Sequence, residues 1–164
     1  MTTDSLLPAL KHAAMKQATL EITSTAFSNN APIPGTYTCD GENINPPLSI
    51  KGIPDNASHL AIILDDPDAP SGTFTHWMVW DMPPSTSIEE NSQPEGTVGQ
   101  NDFGKHNYMG PCPPGGKEHR YFFKVYALDS ELGLSTDTSK QTLESTLHSK
   151  AIAYGELVGI YRRR

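Results

Sequence analysis

Three aspartates crowd the end of one apolar segment. Asp65-Asp66-Pro67-Asp68-Ala69-Pro70 follows the apolar residues 60–64 directly, and His76-Trp77 comes shortly after it. A second histidine, His119, follows the run Gly110-Pro111-Cys112-Pro113-Pro114-Gly115-Gly116. Carboxylates and imidazoles of this kind support four readings. The first is an anion pocket, in which imidazole and glycine-loop N–H groups grip a phosphate or carboxylate while an aspartate orients one histidine and keeps it protonated. The second is a zinc, iron or manganese site built from two Asp and two His. The third is nucleophilic catalysis by Cys112 or Ser71 with a histidine base. The last is structural: aspartates cap turns and the histidines are satisfied in the core. The metal reading lacks a close HxH or HxxxH spacing. The catalytic reading lacks a GxSxG turn, and Cys112, flanked by prolines, occupies no helix N-terminus that would activate it. The pocket therefore leads, with no catalytic residue, metal or cofactor assigned.

The elements that must hold these residues are mostly strands. Residues 60–65 read as a buried strand, and Pro67 and Pro70 stop it, which leaves the carboxylates on a rigid loop. Residues 75–82 (THWMVWDM) read as its neighbour, with Trp77, Val79 and Asp81 on one face and His76, Met78 and Trp80 on the other. Residues 119–128 (HRYFFKVYAL) give the strongest strand pattern, with Tyr121, Phe123 and Val125 opposite Phe122, Lys124 and Tyr126. Residues 19–25 alternate as a first strand, and Asn45-Pro46-Pro47 leads into another. Between 85 and 118 the chain is polar and rich in Gly and Pro, which reads as a functional loop. Leu143, Leu147, Ala151 and Ile152 at helical spacing predict a helix over 139–153, stopped by Gly155 and followed by a last strand over 156–161. No helix separates the earlier strands, so a mostly β domain of two packed sheets with a few peripheral helices is expected. Residues 1–18, with Leu6, Leu7, Leu10, Ala14 and Met15 around Pro8, read as a short helical appendage to a domain over 19–164.

At 164 residues the chain can bury a full core. A formal net charge of -7 argues against nucleic-acid binding, and the Arg162-Arg163-Arg164 cluster reads as a solvated tail. No apolar stretch is long enough for a transmembrane helix. The N-terminal residues lack the pattern of a secretory signal, which points to the cytoplasm. Cys39 and Cys112 are too few and too far apart for a disulfide scaffold and read as reduced thiols.

DDPDAPSGTFTHW, followed by GPCPPGGKEHRYFFKVYALD, resembles the paired signature of the phosphatidylethanolamine-binding protein family. TYTCDGENINPPLS and ELVGIY are similar to its prokaryotic, Raf-kinase-inhibitor-like branch. The resemblance spans about residues 19–162 and implies a β-sandwich with a small pocket for anions such as phospholipid head groups. By match of motif, Asp66, His76, His119 and Tyr121 stand at pocket positions, Asp68 and Pro70 shape the loop, and Gly110 lies in the facing segment. It further implies a non-catalytic binding protein, a modulator of signalling, with a homodimeric assembly. The alternative is an inhibitor of a kinase or serine protease acting through a surface loop. The eukaryotic C-terminal helix has no match here, which implies a more open pocket or one covered by a partner subunit. The resemblance also places Cys39 and Cys112 towards one end of the fold and near each other, which leaves a bridge between them open, and makes Ala69-Pro70 a candidate cis peptide.

Overall fold

The longest alternating runs become the longest strands. The computed structural model describes residues 18–163, so the expected helical appendage lies outside the described residues. In chain order the elements are β1 (Ala18–Thr19), β2 (Glu21–Thr23), β3 (Ala31–Pro32), β4 (Leu48–Lys51), β5 (His59–Asp66), β6 (Phe74–Met82), β7 (Ser87–Ile88), β8 (Thr97–Val98), β9 (His119–Leu128), α1 (Lys140–Lys150) and β10 (Ala151–Tyr161). The larger sheet runs β1-β10-β9-β5-β6-β8, with β3 also paired to β10, and the smaller runs β2-β4-β7. Strands β10, β9, β5 and β6 pair antiparallel, and β1 and β3 lie parallel to β10.

Alternation decides which sheet face each side chain joins. Leu60, Ile62, Leu64, Trp77, Val79, Phe123 and Val125 pack on Ile22, Leu48, Ile50 and Ile88 of the smaller sheet. Ala61, Ile63, Met78, Trp80, Tyr126 and Leu128 turn the other way and are covered by Leu143 and Leu147 of α1. Burying each of those leucines contributes about 1.5–3 kcal/mol, and that apolar face holds the short helix in place. Ser139 caps α1 by accepting the Thr142 N–H, and His148 and Lys150 sit in its last turn, where the helix dipole favours positive charge. Among the described residues, no helix is long and apolar enough to cross a membrane.

Four local expectations are corrected. Gly155 does not stop the helix: it lies inside β10, where an added Cβ would come 2.1 Å from the Leu20 carbonyl oxygen, so glycine permits the close passage of the chain beside that strand. Two residues of β6 do not follow the simple alternation. The pairs Leu64↔Trp77 and Asp65↔Thr75 leave His76 as an extra residue, and the pairs Leu60↔Met82 and Ile62↔Val79 leave a second bulge near Asp81, whose φ is +56°. Met82 therefore joins Trp77 and Val79 in the core, while Asp81 accepts the N–H groups of Leu132 and Gly133. Ala69-Pro70 is trans, as is every peptide bond among the described residues. The turn closes instead through a Gly72 N–H bond to the Ala69 carbonyl, with Gly72 at φ +110°.

The cysteines are not reduced thiols. Cys39 and Cys112 form a disulfide with a Cα separation of 5.4 Å. Cys39 N–H donates to the Pro111 carbonyl, so the two loops lie side by side, a proximity that a separation of 73 residues conceals. Closing a loop of that length contributes about 4 kcal/mol on the chain-entropy account. Arg163 is not part of a solvated tail either. It pairs with Asp40 at 2.9 Å, and its carbonyl accepts the Gly116 N–H, so it ties down both cysteine-bearing loops.

Candidate functional site

Where β5 ends and β9 begins, antiparallel pairing brings Asp66 and His119 to the same end of the larger sheet. His119 Nδ1 donates to Asp66 Oδ2 at 2.6 Å, and the other oxygen of Asp66 accepts the Asp68 N–H at 2.8 Å. Both side chains are buried. Tyr121, two residues along β9, stacks near His119 with ring centroids 6.4 Å apart and meets His76 edge-on at 5.4 Å. The bulge explains that second contact: as the extra residue in β6, His76 leaves the side of Met78 and Trp80 and joins Tyr121 instead.

Each imidazole is fixed at Nδ1. His76 Nδ1 donates to the Met109 carbonyl at 2.8 Å, so Nε2 is the atom each ring has left for a ligand. Burial pulls the His76 pKa below the ordinary histidine value, against the opposing pull of the Met109 carbonyl and Asp66. The Tyr121 hydroxyl is buried and makes no hydrogen bond of good geometry, although the Asp66 carboxylate lies close enough to act on it. Burial, and secondarily the Asp66 carboxylate, push its pKa well above that of an ordinary phenol, so it is a neutral donor.

The structure thus brings together Asp66, His76, His119 and Tyr121. It does not bring in the other three expected residues in the same way. Asp68 turns outward and clasps Arg120, accepting from Nε and Nη2 at 2.9 Å each and from the Arg120 backbone N–H; that grip holds its pKa down at about 2. Pro70 is exposed in the turn. Gly110 is occupied elsewhere: its N–H donates to Asn43 Oδ1, and a Cβ there would sit 1.9 Å from the Tyr37 carbonyl oxygen, so the glycine serves close packing of two loops. The Gly110 N–H is therefore engaged with Asn43, and any backbone N–H groups offered to a ligand come from the rest of the loop.

Two residues escaped the sequence reading. Asn101 is buried, and both ends of its amide are used: Nδ2 donates to the carbonyls of His76 and Asn107, while Oδ1 accepts the N–H groups of Phe103 and Lys105. It pins the long loop to the bulge that aims His76. Phe103 then packs edge-on against His76 and Phe74, with centroids 5.4 Å and 4.8 Å away. The only available signal was NDFG within a loop already read as functional. A separate polar depression of about 390 Å³, lined among others by Thr75, Asp102 and Lys140, lies on the α1 side of β6 and is not part of the histidine cluster.

A two-sheet sandwich with a buried aspartate, two histidines and a tyrosine at one end of its larger sheet defines the class of protein. Residues 23–162 match the family described as phosphatidylethanolamine-binding protein. A UPF0098 protein of Pyrococcus horikoshii is 51% identical over 150 residues, covering 86% of this chain and 76% of the relative. One from Methanothermobacter thermautotrophicus is 47% identical over 151 residues, covering 88% of this chain and 99% of the relative. A crystal structure of a phosphatidylethanolamine-binding protein homologue from Chlamydia trachomatis superposes with a TM-score of 0.84 at 36% identity, covering 90% of this chain and all (100%) of that one. Escherichia coli YbcL, described as a new member of the mammalian family, gives 0.82 at 29% identity with the same coverage, 90% and 100%. The chain belongs to the phosphatidylethanolamine-binding protein family.

Proposed function

We propose that the Asp66, His76, His119 and Tyr121 cluster binds a small anion, a phosphate or carboxylate group, without transforming it. The observation that carries this reading is the Tyr121 hydroxyl, a buried donor with no protein partner, set beside two imidazoles whose Nδ1 atoms are already engaged. A buried unpaired hydroxyl costs about 1–3 kcal/mol, and a ligand oxygen would recover that cost. Asp66 fixes the tautomer of His119 by accepting from Nδ1, so the proton needed for an anion goes to Nε2.

His76 supplies the coupling to pH. Its Nδ1 keeps a hydrogen on the Met109 carbonyl, so its Nε2 can donate to an anion only when the ring takes up a second proton. Burial disfavours that charge in the empty site, and an anion would restore it. Binding is therefore linked to proton uptake, and affinity rises as pH falls. Asp66 would repel an anion in direct contact; the His119 ring separates the two. Calorimetric titration with inorganic phosphate and with phosphoethanolamine from pH 5 to 8 tests the proposal. Corrected for the ligand's own second ionisation, which falls inside this range, affinity for the dianion should rise toward pH 5 and fall about tenfold in His119→Ala, the loss of one charge-assisted hydrogen bond. Affinity flat across pH and unaffected by that substitution would overturn it.

A further inference from the structure

Among the described residues, Phe103 is the exposed large hydrophobic side chain, 38% accessible, and it stands at the histidine cluster. Single exposed apolar residues are ordinary on protein surfaces and normally need no account. The support beneath this one sets it apart. Asn101 spends its side-chain carbonyl on the N–H groups of Phe103 and Lys105, and its amide on His76 and Asn107. Gly104 at φ +80° closes the turn with its N–H on the Asn101 carbonyl. Asp102 bonds Thr75 twice, its N–H to the Thr75 carbonyl and its Oδ2 accepting the Thr75 N–H at 2.7 Å. The segment is thus anchored on both sides of His76, and an aromatic ring is held where exposure alone would not keep it.

We infer that Phe103 is a specificity-determining residue of this site, selecting anions whose phosphate or carboxylate carries an apolar, preferably aromatic, substituent. The inference rests on the anion-site reading and adds what the site requires beyond the charged group. Asp66, His76, His119 and Tyr121 are all buried, so a ligand that reaches the rings would do so with a small head, and whatever the head is attached to would leave toward solvent. Phe103 and Phe74, in mutual edge contact and both against the His76 ring, form the apolar side of that way out. An aromatic substituent lying there would remove part of Phe103 from water and add an aromatic contact. A bare inorganic ion would do neither.

The test compares phenyl phosphate with inorganic phosphate by calorimetry at one pH, in the wild type, Phe103→Ala and Phe103→Leu. The wild type should prefer phenyl phosphate about tenfold. The preference should shrink to within about twofold in Phe103→Ala and take an intermediate value in Phe103→Leu, which keeps apolar bulk without the ring. A wild-type preference that survives Phe103→Ala would overturn the inference, as would equal weakening of both ligands, which would make Phe103 only a support for His76. Failure of inorganic phosphate itself to bind the wild type is a different result and would remove the anion-site reading along with this one.

Discussion

Asp65 and Asp66 are consecutive residues at the end of β5, both buried, and they face opposite sides of the sheet. On the α1 side, Asp65 Oδ2 holds two ammonium groups, Lys124 at 3.0 Å and Lys140 at 2.7 Å. Its charge is matched by ammonium groups from β9 and the first turn of α1, so it ties helix to sheet. On the other side, Asp66 has a histidine and one backbone N–H, with an unpartnered tyrosine hydroxyl nearby. The difference shows how one fold uses the same residue type twice. A buried carboxylate saturated by lysines is a fastening, whereas one paired with a titratable ring beside an unsatisfied donor leaves capacity for a ligand.

The largest expected effect lies on the fastened side. Asp65→Ala leaves two cations facing an apolar sheet and should cost about 2–4 kcal/mol by chemical denaturation, somewhat less than a fully buried pair because both lysines reach water. Phosphate affinity in that variant should stay within about twofold of wild type. A large loss of binding there would mean that the two faces are not separate.

Tyr121→Phe should separate the faces in the opposite sense. Because its hydroxyl has no partner, removing it should raise stability by about 1–3 kcal/mol, while phosphate affinity drops roughly fivefold. A clear loss of stability would mean that the hydroxyl is already satisfied and carries no ligand.

The smallest effect belongs to the outward third carboxylate. Asp68 is held at about 2, below the unfolded value near 3.9, so its contribution is fully present above about pH 4 and is lost as pH falls toward 2. Its partner is largely exposed, which limits the effect to less than ~1 kcal/mol. Acid unfolding of Asp68→Asn should lose that small slope between pH 4 and 2 and match the wild type above it.

Much of this arrangement was legible because strand alternation is a local signal. The runs HLAIILDD, THWMVWDM and HRYFFKVYAL place Leu64, Trp77 and Phe123 in one core and Ile63, Met78 and Tyr126 in the other. Alternation also hides what mattered most at the site. An inserted residue leaves no mark on composition, so His76 was expected beside Met78, and Asp81 beside Val79, until pairing revealed the two bulges. Asn101, Phe103 and the contact of Met109 with His76 belong to a loop whose order comes from side-chain bonds to distant backbone rather than from periodicity. Spacing alone read the two cysteines as reduced thiols, and only the resemblance put residues 39 and 112 at one end of the fold; their pairing appears once the chain is folded. The resemblance put Asp66, His76, His119 and Tyr121 at pocket positions and Asp68 and Gly110 in the segments around them; the geometry gathers the first four into the cluster and shows how Asp68 and Gly110 hold the chain around it.

The central claim, that an anion engages both rings at Nε2, is tested most directly by side-chain ¹⁵N NMR of the histidines during titration with inorganic phosphate near pH 7. The account predicts that the Nε2 signals of His76 and His119 move together with one dissociation constant, His76 toward the protonated form, while those of His59, His106 and His148 stay in place. Phosphate that leaves His76 and His119 unmoved, or shifts all the histidines alike, would contradict it.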